Sequence, residues 1–352
     1  MKYNYWYEKG LDQRDLGNDK KAVEFYEKAI EINPKDKEIW IDKGIALLNL
    51  KKYEDAINSF NKALEIDPKN ADVWFRKGLI LETLGRYKEA IHSFETTLSL
   101  DPQFKSALYH LALAWDEAGF DEYAINYYNR ALKVAPENKD IWIDKGIKLT
   151  DLERYKEAIH CFDKAIEIDP KYSDGWYYKA IAFDALKRYE EAIVLYDTAL
   201  EINPGREGVW FDKALVYERL DKYEEAINCY NKVLAINPEH KHALLNKGKA
   251  LKKIRKYKEA VNCYEKLLEL KDAKIDYVPR YINKKELAAI EAFSENHQHE
   301  DRVCGSIPEA PYHIEIFPNS VRYTITVICD ICASEDKNIS IYSKNITDYD
   351  SW

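Results

Sequence analysis

Long apolar runs are missing from this sequence. The longest, Leu111 to Trp115 and Ala192 to Tyr196, are five residues each, against the roughly 20 that a membrane-spanning helix needs. No membrane-crossing helix and no membrane partner are expected. Positive charge is not in excess either: acids outnumber bases 62 to 53, for a net charge of −9. Such a chain offers no attractive field to a phosphate backbone, so nucleic acid is not an expected partner. Residues Met1 to Trp6 hold no apolar stretch and no small-residue cleavage site, which leads to the expectation of a cytoplasmic protein. Cysteines are few. Cys161, Cys229 and Cys263 sit singly inside helical patterns, and Cys304, Cys329 and Cys332 cluster near the end, a layout that argues against a disulfide framework. Catalytic motifs are scarce as well: there is no phosphate-binding glycine loop, no H-E-x-x-H and no G-x-S-x-G, so an enzyme is not expected. What the chain does have is 46% hydrophobic residues, enough to bury a core and to exclude a wholly disordered reading.

The apolar residues are arranged in a strict repeat. Pro34, Pro68, Pro102, Pro136, Pro170, Pro204 and Pro238 are spaced 34 residues apart, which chance does not produce. The same stride carries Trp6, Trp40, Trp74, Trp142, Trp176 and Trp210, a small residue at places such as Gly10, Gly44, Ala112 and Gly146, and an alanine from Ala22 through Ala260. Eight units fill residues 3 to 272 without an insertion. Each reads as two helices: in the second unit Glu38 to Leu50 and Tyr53 to Ile66 both carry apolar residues at helical spacing, with a turn around Lys51 and Lys52 between them. The proline follows the second helix because its ring removes a donor and clashes with the preceding turn. Gly44 is expected to let the second helix approach closely enough to seat Ala56. In the fourth unit Leu108 takes the tryptophan place, and Trp115 is expected to supply the bulk.

The W-x-x-K-G spacing, followed by the alanine, aromatic and proline places, resembles the tetratricopeptide repeat family, in residues such as Trp40, Gly44, Tyr53, Ala56, Phe60, Ala63 and Pro68. The resemblance covers about three quarters of the chain. It implies an all-α superhelical solenoid of helical hairpins over residues 1–272, whose first helices line a concave groove that grips peptides or helices of partner proteins. It also implies a scaffold or receptor without catalytic groups. Family members that hold acidic chaperone C-termini use lysine and asparagine on this face. Here the matching places hold Tyr7, Leu11, Asp42 and Asp72 with Arg76, so that activity is not expected.

The expected groove has an apolar floor and acidic walls. Its floor would be Tyr7, Ile41, Phe75, Tyr109, Ile143, Tyr177 and Phe211, followed one turn later by Leu11, Ile45, Leu79, Leu113, Ile147, Ile181 and Leu215. Fifteen acids flank it, Asp42, Asp140, Asp144, Asp151 and Asp212 among them, against Arg14, Arg76 and Arg219 alone. One reading makes these acids a solvated helix face with the apolar stripe packed between neighbouring units. The other makes the face a receptor for a basic, amphipathic segment of a partner protein. The eighth unit reverses sign at Lys249, Lys252 and Lys253, either as a soluble terminal face or as a dock for an acidic end such as Asp348 to Trp352.

After Asp272 the repeat is lost. Residues 273–296 read as a capping helix and linker, opened by a capping box at Asn283 to Glu286. Residues 297–352 read as a small α+β module, mainly antiparallel β, with strands over Tyr312 to Phe317 and Val321 to Cys329 and a third over Ile339 to Tyr342. Cys329 and Cys332 form a C-x-x-C pair at the end of the second strand. With Cys304 and His299 they offer a candidate zinc site, since a closed tetrahedral site needs a second pair of ligands. Reduced structural thiols and redox work remain alternatives. An adaptor whose specificity lies in this terminal module, or a thiol- or zinc-dependent activity at Cys329 and Cys332, competes with the groove as the seat of function.

Overall fold

The computed structural model of the 352-residue chain describes residues 2–270, 312–318 and 323–329. It divides into two compact units, Met1–Asp221 and Lys222–Trp352. The first helices of the successive repeats are α1 (Lys2–Asp15), α3 (Lys37–Asn49), α5 (Ala71–Thr83), α7 (Lys105–Glu117), α9 (Lys139–Asp151), α11 (Ser173–Ala185), α13 (Glu207–Arg219) and α15 (Lys241–Lys253). The second helices are α2 (Asp19–Ile32), α4 (Tyr53–Ile66), α6 (Tyr87–Leu100), α8 (Asp121–Val134), α10 (Tyr155–Ile168), α12 (Tyr189–Ile202), α14 (Tyr223–Ile236) and α16 (Tyr257–Glu269). The array is an all-α repeat solenoid. Two strands, β1 (Tyr312–Pro318) and β2 (Tyr323–Cys329), pair antiparallel with Tyr312 opposite Cys329. The expected capping helix, the third strand, and Cys304, Cys332 and His299 lie outside the described residues. Cys329 closes β2.

The periodic residues hold each hairpin by specific contacts. The indole N–H of Trp40 donates to the carbonyl of Pro34 at 2.9 Å, and Trp74, Trp142, Trp176 and Trp210 repeat the bond to Pro68, Pro136, Pro170 and Pro204 at 2.9 to 3.1 Å. Tryptophan and proline therefore recur together because one satisfies the carbonyl that the other exposes at the helix end. The lysine of W-x-x-K-G lies over that indole, with Lys77 Nζ 4.9 Å from the Trp74 ring centre. It also reaches back to the preceding repeat, as Lys43 to Glu27 at 2.9 Å and Lys179 to Asp163 at 2.7 Å.

The small-residue place has a nearer neighbour than the alanine that the sequence suggests. A Cβ added at Gly44 would stand 2.6 Å from Cε1 of Phe60, and one at Gly146 would stand 2.4 Å from Cε1 of Phe162. An aromatic ring of the second helix, four residues beyond the alanine, is what lies on the glycine. The alanines are nevertheless fully buried, as at Ala56, Ala90 and Ala158. The fourth repeat also departs from expectation. Leu108 is buried in the tryptophan place by itself, while Trp115 stacks on Tyr123 at 4.8 Å and meets Phe120 edge-on at the far end of α7. Cys161, Cys229 and Cys263 are buried thiols inside second helices, and desolvation pushes the Cys161 thiol up to about 11, as suits packing residues.

Between the two helices of each repeat the chain turns through a left-handed residue that lets the next N–H bond back to the helix end. Gly85 fills this place in the third repeat at φ 70°, with Arg86 N–H bonded to the Leu81 carbonyl. Glu153 and Lys187 fill it at φ 58° and 60°. A Cβ in this region strains the backbone. Glu153→Gly and Lys187→Gly should each stabilise the chain by about 0.5 to 1 kcal/mol, checked as a rise in thermal midpoint.

Candidate functional site

The residues read from the sequence as groove floor and walls lie on the first helices, and in the unit Met1–Asp221 they meet in a recurring arrangement. Tyr7 donates its hydroxyl to Asp42 at 2.6 Å, Tyr109 to Asp144 at 2.5 Å and Tyr177 to Asp212 at 2.7 Å. Each bond joins the first helices of adjacent repeats. Behind each of these tyrosines stands a second, fully buried one on the repeat's own second helix: Tyr26, Tyr128 and Tyr196, with ring centres 6.0, 6.5 and 6.2 Å away. The unit is thus two tyrosines and an aspartate, repeated three times. Burial, and then the aspartate, hold the outer tyrosine hydroxyls well above their ordinary range; for Tyr177 the Asp212 charge and the bond to it both add to burial. Desolvation raises the Asp144 and Asp212 carboxyls, while the tyrosine bond to each opposes that rise.

Most of the expected acidic wall is engaged rather than free. Asp42 also takes Arg14, Asp140 accepts from Tyr172 at 2.8 Å, Asp116 pairs with Lys148 at 2.5 Å and Asp184 with Arg219 at 2.5 Å. Among the described residues, the carboxylates of Asp151, Glu8 and Glu38 show no hydrogen bond or ion pair and are exposed. Asp140 is exposed despite its bond. The floor is likewise divided. Ile41 and Ile143 are buried in the core, so these two are packing residues, because their neighbours in adjacent repeats close over them. Phe75 is half-buried and packs on Phe104 at 4.8 Å; Phe211 is half-buried too. The partly exposed apolar side chains that remain on this face are Leu11, Ile45, Leu79, Leu113, Ile147, Ile181 and Leu215.

The sign of the carboxyl shift has a consequence for stability. A carboxyl raised above its ordinary value of 3.8 by burial favours the folded state while protonated, and opposes it as pH rises from there through the folded value. Asparagine would accept the same tyrosine hydroxyl without a buried charge. Asp144→Asn should therefore leave stability unchanged at pH 3 and raise it at pH 7, read from denaturant midpoints at the two pH values.

Comparison with known proteins fits this architecture. The tetratricopeptide repeat matches residues 3–36, 41–103, 75–139, 140–172, 173–206, 209–240 and 242–274. The chain belongs to the tetratricopeptide repeat family. Among solved structures, a tetratricopeptide repeat protein of Parabacteroides merdae is 23% identical with a TM-score of 0.55, over 68% of this chain and 94% of that one. The C-terminal part of a repeat protein of Cytophaga hutchinsonii is 17% identical with a TM-score of 0.59, over 68% and 98%. These two share the fold. YrrB, a tetratricopeptide repeat protein with an unusual peptide-binding site, is 25% identical with a TM-score of 0.47, over 53% and 97%. No curated protein matches the chain. Tetratricopeptide repeats bind proteins or peptides, and this chain has that interaction fold. Among the described residues no helix is long and apolar enough to cross a membrane, and no group of three side chains is placed to hold a metal ion.

Proposed function

We propose that this repeat protein is a scaffold or receptor whose first-helix face binds a basic, amphipathic segment of a partner protein. The observation that carries the reading is the composition of that face: partly exposed Leu79, Leu113, Ile147 and Ile181 in succession, with exposed acids at Glu117, Asp140 and Asp151 beside them. A helix or extended peptide with one apolar side would cover the leucines and isoleucines. Its basic side would meet the acids, which raise the encounter rate and set the register more than they add affinity. The Tyr–Asp bonds serve this role indirectly, by fixing the spacing of successive first helices.

Selection of displayed 16-residue random peptides on the full chain tests the reading. Peptides with helically or alternately spaced apolar residues and net positive charge should be enriched. Enrichment of acidic or wholly polar peptides would overturn it and shift attention to residues 297–352.

A further inference from the structure

We propose that the place around Asp144, between α7 and α9, receives an arginine side chain of the bound partner. The proposal rests on the groove reading above and names one residue that the segment must carry. Its basis is a comparison of three junctions that the chain builds from the same parts. At Tyr7 and Asp42, the chain supplies its own guanidinium, Arg14 of α1, bonded to the Asp42 carboxylate. At Tyr177 and Asp212, Arg206 lies with its guanidinium carbon 4.3 Å from the Tyr177 ring centre and pairs with Asp174. Arg219 pairs there with Asp184, and both arginines act on the Asp212 charge.

The middle junction has both rings, has Asp144 and Asp116 in the places of Asp212 and Asp184 and Ser106 in the place of Asp174, and lacks the arginines. Asp116 stands where the first junction has Arg14, and Asn138 and Asp151 stand where the third has Arg206 and Arg219. Lys148, four residues beyond Asp144 on α9, is taken by Asp116 at 2.5 Å and Asp121 at 3.1 Å. Among the described residues, Asp144 accepts from Tyr109 alone, and the charges that face it are those of Asp140 and Asp116. Tyr109, the ring that stands where the third junction has Tyr177, donates to it. A half-buried carboxylate with two like charges for neighbours is costly to fold, and a guanidinium from outside would remove that cost as Arg14 does for Asp42. Arginine suits the place better than lysine. Its planar fork can bond a carboxylate while lying on a tyrosine ring, which is the pose of Arg206.

The test uses the same peptide display, run on the wild-type chain, Asp144→Asn and Asp116→Arg. The second variant places a guanidinium where Arg14 sits relative to Asp42, so it should fill the site from within. On the wild type, enriched peptides should carry arginine at one fixed place relative to their apolar residues. Replacing that arginine by lysine or citrulline in a synthetic peptide should weaken binding about 10- to 100-fold, a loss read without altering the protein. Both variants should lose the arginine preference while still binding basic amphipathic peptides, and each should show the helical circular dichroism of the wild type. Enrichment of basic peptides in which lysine and arginine interchange, or an arginine preference unchanged in Asp144→Asn, would overturn the arginine site and leave the groove standing. Failure to enrich basic peptides at all would overturn both.

Discussion

Gly146→Leu is expected to destabilise the chain by about 1 to 3 kcal/mol, seen as a fall in the denaturant midpoint. The first atom of the new side chain already has no room. A Cβ at this position would stand 2.4 Å from Cε1 and 2.8 Å from Cδ1 of Phe162, whose ring is fully buried. The ring cannot withdraw without moving α10 away from α9. Ala112 and Ala180 hold the corresponding place in the fourth and sixth repeats, so a single methyl can be accommodated where the hairpin is built for it. Gly146→Ala should accordingly cost much less than Gly146→Leu. An unchanged midpoint in the leucine variant would contradict the assigned packing of glycine against ring.

The second large effect is on association with a basic amphipathic peptide. Reversing Glu117, Asp140 and Asp151 to lysine should slow binding about tenfold or more at low salt, with the difference shrinking as salt is added. These three acids are exposed, and the hydroxyl bonds that would be lost, from Tyr172 to Asp140 and from Tyr87 to Glu117, are exposed too, so reversal changes the field and leaves the core alone. Asp144 is a poor choice for this purpose, since it accepts the part-buried Tyr109 hydroxyl and a lysine there would leave that hydroxyl without its acceptor. Tyr177 is equally unsuitable as a test of partner anchoring, because it holds Asp212 and lies under Arg206. Stopped-flow traces that superimpose for wild type and reversed chain would remove the steering role.

The repeat was legible because each of its signals recurs eight times in register. The helix predicted over Glu38 to Leu50 is found at Lys37–Asn49, and that over Tyr53 to Ile66 is found there without a shift. The tryptophan and proline places were visible as a period, but the bond that ties them together was not, because spacing records no donor and acceptor. The spacing shows the glycine as a packing residue beside a buried alanine, but not its nearest neighbour, which is the aromatic of the second helix, Phe60 on Gly44 in the second repeat. Trp115 was misplaced for a related reason. Seven residues along a helix restores the face, yet it moves about 10 Å along the axis, away from the contact it was asked to replace.

The Tyr–Asp junctions were missed although their residues had been named singly. Reading one period of 34 compares equivalent places, whereas these bonds join places 35 residues apart in neighbouring repeats. A signal was present: Tyr7, Tyr109 and Tyr177 are each followed by tyrosine 19 residues later and by aspartate 35 residues later, and Ile41, Phe75 and Ile143 by neither. A phenol that is packed under the next repeat needs a buried acceptor, and an apolar residue in its place does not. The acidic stripe was therefore overcounted as free charge. Part of it is the internal polar joinery of the solenoid, and the accessible remainder is what a partner would meet.

Hydrogen–deuterium exchange of the full chain with a selected basic peptide tests most directly whether a partner segment lies along the first helices. Binding should slow exchange in α5, α7, α9 and α11 and leave α6, α8, α10 and α12 near their rates in the unbound protein. Protection confined to the second helices, or to residues 271–352, would contradict the account.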